Sequence, residues 1–248
     1  KVLQKIGNFS LIELLISRLK TSKEIDQIID AKPNNKKNKL IKKYTKNVKL
    51  FFGSENDVLD RFYKAAKKFK AKNVVRICGD CPFVDPSIID KIIKIFKAKN
   101  FDYVSNTIKP TFPDGFDVEV FKFEALEKAW KIATNKNERE HVTPYILKNN
   151  KFKKYNYKFK KDLSKIRLTI DEIVDLKQLR NVFYKFKNPI KFGINDILNL
   201  FMKNKKIFSN NSTFGRNEGS QLNLGQKIWR RGKEYIPGGN MLLSKRPE

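Results

Sequence analysis

Histidine and cysteine are nearly missing from this chain of 248 residues, which carries one of the first and two of the second. One histidine and a single C-x-x-C, formed by Cys78 and Cys81, leave a tetrahedral zinc site short of ligands. The same spacing can mark a redox pair. Here Cys78 falls inside a strand pattern, and Gly79-Asp80 puts an acid where a thiolate needs positive surroundings. A small buried apolar residue and an incidental loop thiol are expected instead. Long apolar runs are missing too, and none approaches the roughly 18 residues that would suggest a membrane span. Nor is a signal peptide recognisable: the run from Leu11 to Ile16 lies inside an amphipathic helix pattern. With Lys1 as the first residue, the expectation is a cytoplasmic chain cut from within a longer protein.

Acids are scarce as well, with 26 Asp and Glu against 54 Lys and Arg for a formal charge of +28. Clustered basic residues bind nucleic acid by releasing counterions. These lysines are instead spread over nearly every segment, so no specific nucleic acid and no membrane is expected as a partner. Steering of anionic substrates follows in either case.

What is present is an alternation of helical and strand patterns. Its centre is Val74-Val75-Arg76-Ile77-Cys78-Gly79-Asp80, a β-branched run that stops at a glycine and an acid. Asp85-Pro86 then reads as the N-cap and first residue of a helix. Ser10 caps an earlier helix that carries Leu11, Leu14, Leu15 and Leu19 on one face. Strands are expected over 25–31 and 48–52, and helices over 37–45 and 57–66. Further strands are expected over 101–106 and 118–121, followed by a helix over 123–133 and one over 138–148 that bends at Pro144. The fold class is therefore α/β, with right-handed crossovers over a mostly parallel, Rossmann-like sheet flanked by helices.

Ile166-Arg167-Leu168-Thr169-Ile170-Asp171 repeats the theme of a β-branched run ending in an acid. If both runs are parallel strands, Asp80 and Asp171 project from one sheet edge, where ligands of open α/β sheets bind. Mg²⁺ takes one or two carboxylates and fills its octahedron with water and phosphate oxygens. Each acid could equally do no more than cap the helix that follows it.

These segments resemble a family, the cytidylyltransferases that activate acidic sugars, including the CMP-3-deoxy-manno-octulosonate and acylneuraminate synthetases and the branch named for spore coat polysaccharide synthesis. The likeness is carried by Phe52-Gly53-Ser54-Glu55-Asn56-Asp57, Val75-Arg76-Ile77-Cys78-Gly79-Asp80-Cys81-Pro82, Asp102-Tyr103-Val104-Ser105-Asn106-Thr107, Pro113-Asp114-Gly115-Phe116-Asp117-Val118-Glu119, Arg139-Glu140-His141-Val142-Thr143-Pro144 and Leu168-Thr169-Ile170-Asp171. The resemblance implies that CTP and an acidic sugar are the partners, with a homodimer as a candidate assembly. It implies Mg²⁺ as cofactor on Asp80 and Asp171, the nucleotide near Lys1, Arg76 and Gly79, and the sugar near Asp114, Asp117, Glu119, Arg139 and His141. For His141 a structural helix position is an equal alternative. Members of the family open with a strand and a phosphate-gripping loop, of which this chain shows only the final lysine, Lys1. Residues 1–187 are thus expected to form the nucleotidyltransferase-like domain and 188–208 a connecting helix. Residues 209–248 are expected to form a linker and the start of another domain. The last resembles the opening of class III, glutamate-1-semialdehyde-type aminotransferases in Gly225-Gln226-Lys227-Ile228-Trp229-Arg230-Arg231-Gly232-Lys233. Pyridoxal phosphate would belong only to that downstream domain.

Overall fold

The computed structural model describes residues 2–35, 40–45 and 48–209. Lys1 and the aminotransferase-like tail therefore lie outside the described residues. The chain opens with a small antiparallel hairpin, β1 (Lys5–Ile6) and β2 (Phe9–Ser10), that leads into α1 (Leu11–Leu19). Ser10 closes a capping box with Glu13: its hydroxyl accepts the Glu13 amide, and the Glu13 carboxylate accepts the Ser10 amide at 2.7 Å. β3 (Ile29–Pro33) pairs in parallel with β4 (Lys49–Gly53). β3 starts later than its apolar pattern predicts, and ahead of it the amides of Lys23 and Glu24 donate to the Asp90 carboxylate. Within the described residues, the helix expected over 37–45 is a 3-10 turn at Leu40–Lys43.

α2 (Val58–Lys68), capped by Asp57, feeds β5 (Asn73–Arg76). α3 (Pro86–Ala98) follows, with Asp85 as N-cap and Pro86 in its first turn. β6 (Tyr103–Ser105), β7 (Glu119–Lys122) and β8 (Lys154–Asn156) complete a four-stranded sheet in the order β5-β7-β6-β8. This sheet is mixed. β7 runs antiparallel to both β5 and β6, whereas β8 is parallel to β6. The cause is the connection from β6 to β7, which is loop without a helix, and a parallel return needs a crossover of helical length.

α4 (Phe123–Ile132) is followed by two short helices, α5 (Lys136–His141) and α6 (Pro144–Lys148), where a single bent helix is expected. Pro144 starts a new helix, and Val142 at φ +73° breaks the old one. The strand expected over 166–171 does not form. That segment makes a single parallel bridge, Arg167 to Asp114, because its backbone bonds go to two different loops. α7 (Ile173–Phe183) and α8 (Ile194–Lys203) end the described chain.

The main core joins Leu11, Leu14 and Leu15 of α1 to Ile88, Ile89, Ile92 and Ile93 of α3, and it extends to Ile197 and Leu198 of α8. Each such side chain contributes about 1.5–3 kcal/mol by leaving water. Arg18 ties the carboxyl-terminal segment to this body. Its buried guanidinium donates to the carbonyls of Val84 (3.0 Å), Pro189 (2.9 Å) and Phe192 (2.7 Å) and lies over the Phe192 ring. Burial lowers its pKa to about 10, against the opposing charge of Asp85. Asp85 itself accepts the Ile194 amide at 2.7 Å. Among the described residues no helix is long and apolar enough to cross a membrane.

Candidate active site

β5 ends at Arg76, and the chain turns at once: the Cys81 amide donates to the Cys78 carbonyl at 3.1 Å. This turn presents Gly79 and Asp80. A side chain at Gly79 would meet Lys32 Nζ at 3.5 Å and Val2 at 3.8 Å, so β3 and the amino end both approach it. The Asp80 carbonyl accepts the Ile170 amide at 3.0 Å and the Thr169 hydroxyl at 3.2 Å. The Asp80 loop and the segment that ends in Asp171 are thereby joined backbone to backbone, although neither acid stands at the end of a paired strand 166–171.

Asp171 is held by its neighbours. Arg167 Nη2 donates to its carboxylate at 2.6 Å, and Asp175 accepts its amide at 2.8 Å. The same guanidinium donates to Asp175 at 2.9 Å and to Asp114 at 3.2 Å. Asp114, expected beside the sugar, is thus placed as a buried partner of Arg167. Burial by itself would lower the Arg167 pKa, but the bonds and charges of Asp175, Asp114 and Asp171 more than offset it and raise it. Gly115 makes this approach possible. At φ +99° it lies so close to Leu168 that an added Cβ would stand 2.5 Å from the Leu168 backbone.

A second cluster adjoins the first through Cys78. Arg76 forms an ion pair with Glu119, whose Oε1 also accepts the hydroxyls of Tyr103 and Thr143, each at 2.7 Å. The Val142 turn is what delivers Thr143 to this point. Burial would lower the Arg76 pKa, yet the neighbouring Cys78 and Glu119 raise it above its ordinary value. Burial, then Glu119, pushes the Tyr103 hydroxyl well up. Both cysteines are free. The hydrogen bond with Cys81 and the charge of Arg76 pull Cys78 down against burial, and Cys81 is pushed up by the same bond and by burial. Asp117 is half-buried in the loop before β7, and its charge adds to the upward push on Cys81.

Arg139 is placed elsewhere. Its guanidinium pairs with Asp57 and donates to the Trp130 carbonyl at 2.8 Å, which fastens α5 to α2 and α4. His141 is half-buried at the end of α5. Sequence reasoning passed over Arg167, Asp175, Tyr103 and Thr143. The spacing of Arg167, Asp171 and Asp175, each four residues from the next, was a signal for the first two.

Beside β5 lies a trench of about 950 Å³, bounded by Ile29–Pro33 on one side and by residues 73–80 on the other, with Ile12, Leu15, Ile93 and Phe62 from the flanking helices. Three side-chain atoms are buried without a partner among the described residues, Asp30 Oδ2, Arg61 Nε and Arg76 Nε. All three residues line this trench. Among the described residues no group of three or more His, Cys, Asp or Glu side chains is arranged to hold a metal. The two oxygen donors Asp80 and Asp171, on adjoining loops, suit a hard cation that completes its shell from phosphate and water.

The cytidylyltransferase family profile matches residues 1–214. The chain belongs to the cytidylyltransferase family. It is 43% identical over 219 residues to the uncharacterized protein MJ1063 of Methanocaldococcus jannaschii, covering 86% of this chain and 88% of that one. It is 27% identical over 218 residues to the spore coat polysaccharide biosynthesis protein SpsF of Bacillus subtilis, covering 82% of this chain and 88% of SpsF. The structure of a cytidylyltransferase from Leptospira borgpetersenii superposes with a TM-score of 0.81 at 31% identity, over 85% of this chain and 90% of that one. A CMP-2-keto-3-deoxy-manno-octonic acid synthetase complexed with CTP shares the fold, with a TM-score of 0.59 at 10% identity over 75% of this chain and 92% of the other. This cytidylyltransferase is therefore an enzyme of the nucleotidyltransferase class.

Proposed function

We propose that this cytidylyltransferase forms a CMP-sugar from CTP and an acidic sugar, for a surface glycan. A sugar oxygen attacks the α-phosphorus, a new P–O bond forms, and the bond to the departing pyrophosphate breaks. The observation that carries the reading is the junction of Asp80 with the segment bearing Asp171 at the carboxyl end of β5. Asp80 and Asp171 would hold Mg²⁺, which on binding would neutralise charge on the α-phosphate and the leaving pyrophosphate. Arg76, fixed by Glu119, adds a half-buried positive charge beside the same loop. Such a reaction asks chiefly for positioning and charge compensation from the protein. The even positive field draws in both anionic substrates.

β3 and β5 flank the trench, and Val2 lies beside Gly79, which lines it. We infer that a strand leading into Val2 fills it, and that the loop between this strand and Val2 grips the triphosphate through backbone amides.

The test is pyrophosphate release from CTP with Mg²⁺ and a panel of sugar acids, using the chain with such a strand and loop fused before Lys1. Asp80→Asn and Asp171→Asn should each reduce turnover by about a thousandfold and leave the melting temperature nearly unchanged. Turnover that survives both substitutions, or that falls only with the melting temperature, would sink the metal assignment.

A further inference from the structure

Asp171 is the most exposed of three carboxylates around one guanidinium. Its side chain is 35% exposed, against 8% for Asp114, 0% for Asp175 and 5% for Arg167. The three acids and one base sum to a formal charge of −2, opposite and equal to that of one divalent cation. The two inner acids are spent on Arg167 and on backbone: Asp175 accepts the amides of Asp171 and Glu172 at 2.8 and 2.9 Å, and Gln178 bonds the Arg167 carbonyl at 2.8 Å. The guanidinium links this buried frame to the Asp171 carboxylate.

We propose that Arg167 is a positioning residue that aims Asp171 at the Asp80 loop, anchored in turn by Asp114 and Asp175. This deepens the reading of Asp80 and Asp171 as the cation-holding pair and rests on it. A planar fork with five donors can serve three carboxylates at fixed angles, which a lysine ammonium on a flexible stem cannot. The frame also keeps the 166–171 segment against Asp80, since Arg167 bridges to Asp114 through its main chain and to Asp171 through its side chain. Arg167 acts on the cation through Asp171 alone.

Two measurements on the 248-residue protein test this. In Arg167→Lys, which keeps the charge but not the fork, the Ile170 amide bonded to Asp80 should exchange with deuterium about tenfold faster. The Ile92 amide inside α3 should keep its protection. In parallel, Mn²⁺ serves as the probe cation: Arg167→Lys should weaken its binding about tenfold, and should have no further effect in an Asp171→Asn background. Unchanged exchange at Ile170, or an equal rise at Ile92, overturns the proposal whatever Mn²⁺ does. So does an effect on Mn²⁺ that persists without Asp171. If Asp171→Asn alone leaves Mn²⁺ binding untouched, the metal assignment fails, and the Ile170 amide still decides whether Arg167 positions this segment.

Discussion

Along one edge β5 is hydrogen-bonded to β7 from Asn73 to Arg76, and along the other it faces β3 across about 950 Å³. Each side holds an acid against a base, and the two acids differ in how completely they are satisfied, although Arg76 Nε on the paired side also lacks a partner among the described residues. Glu119, on the paired side, meets Arg76, Tyr103 and Thr143. Asp30, on the open side, meets Lys32 at 3.2 Å and keeps one buried oxygen without a partner among the described residues. A ladder of strand bonds brings donors to an acid from several elements at once. An open wall leaves it with what its own strand can reach.

The largest effect should come from breaking the satisfied side. Glu119→Ala leaves the half-buried Arg76 guanidinium without its carboxylate, and should cost about 3 kcal/mol, a large share of the 5–15 kcal/mol typical of a whole domain. Glu119→Gln keeps an oxygen that can accept from Tyr103 and Thr143 but loses the charge and the acceptor for Arg76, so it should cost about 1–2 kcal/mol. Urea unfolding of both variants measures the gap. Equal costs would mean that the charge of Glu119, rather than its place in a network, is what the fold uses.

Next in size is the filling of the open side. A β-branched segment of about six residues fused before Lys1 through a glycine-containing loop should raise the melting temperature by roughly 5–10 °C. It should also slow hydrogen exchange at Val74 and Val75, whereas a Gly-Ser segment of equal length should do neither. Protection that fails to change at these amides would show that the trench does not take a strand, and CTP affinity should follow the same division.

The parts of this fold that were legible in the sequence are those whose causes are local. Ser10, Asp57 and Asp85 begin their helices because a side-chain oxygen finds an amide two or three residues on, and the apolar faces of α1 and α3 follow from spacing along one helix. The direction of β7 follows from the same reading, since no helix is expected between 101–106 and 118–121 and a return without a crossover helix is antiparallel, which makes the sheet mixed rather than mostly parallel. The run 166–171 has strand composition, yet its backbone partners are Asp114 and Asp80 rather than a strand, a fact that belongs to other parts of the chain. Arg18 is similar: the carbonyls it serves lie 65 to 174 residues away. In the site, the acids could be named from the residues that precede them. What Arg167 does to them could not, because the same four-residue spacing serves ordinary ion pairs on exposed helices.

The smallest effect is expected at Asp30, and its sign is the informative part. Burial, only partly offset by Lys32, raises its pKa above 3.8. The folded chain therefore holds this proton more tightly than the unfolded chain. The cost of keeping Asp30 ionised is fully present above the folded pKa and is relieved as pH falls through it toward the unfolded value. Asp30→Asn removes that cost, so at pH 7 it should raise the melting temperature by about 2 °C, and the advantage over the parent chain should shrink as the pH is lowered toward 3.8. The same substitution at a well-satisfied acid lowers stability at neutral pH, as Glu119→Gln should. Melting curves of Asp30→Asn and Glu119→Gln across this pH range therefore separate the two sides of β5. If Asp30→Asn is destabilising at pH 7, then the pair with Lys32 outweighs burial, and the open wall of the trench is as well satisfied as the paired one.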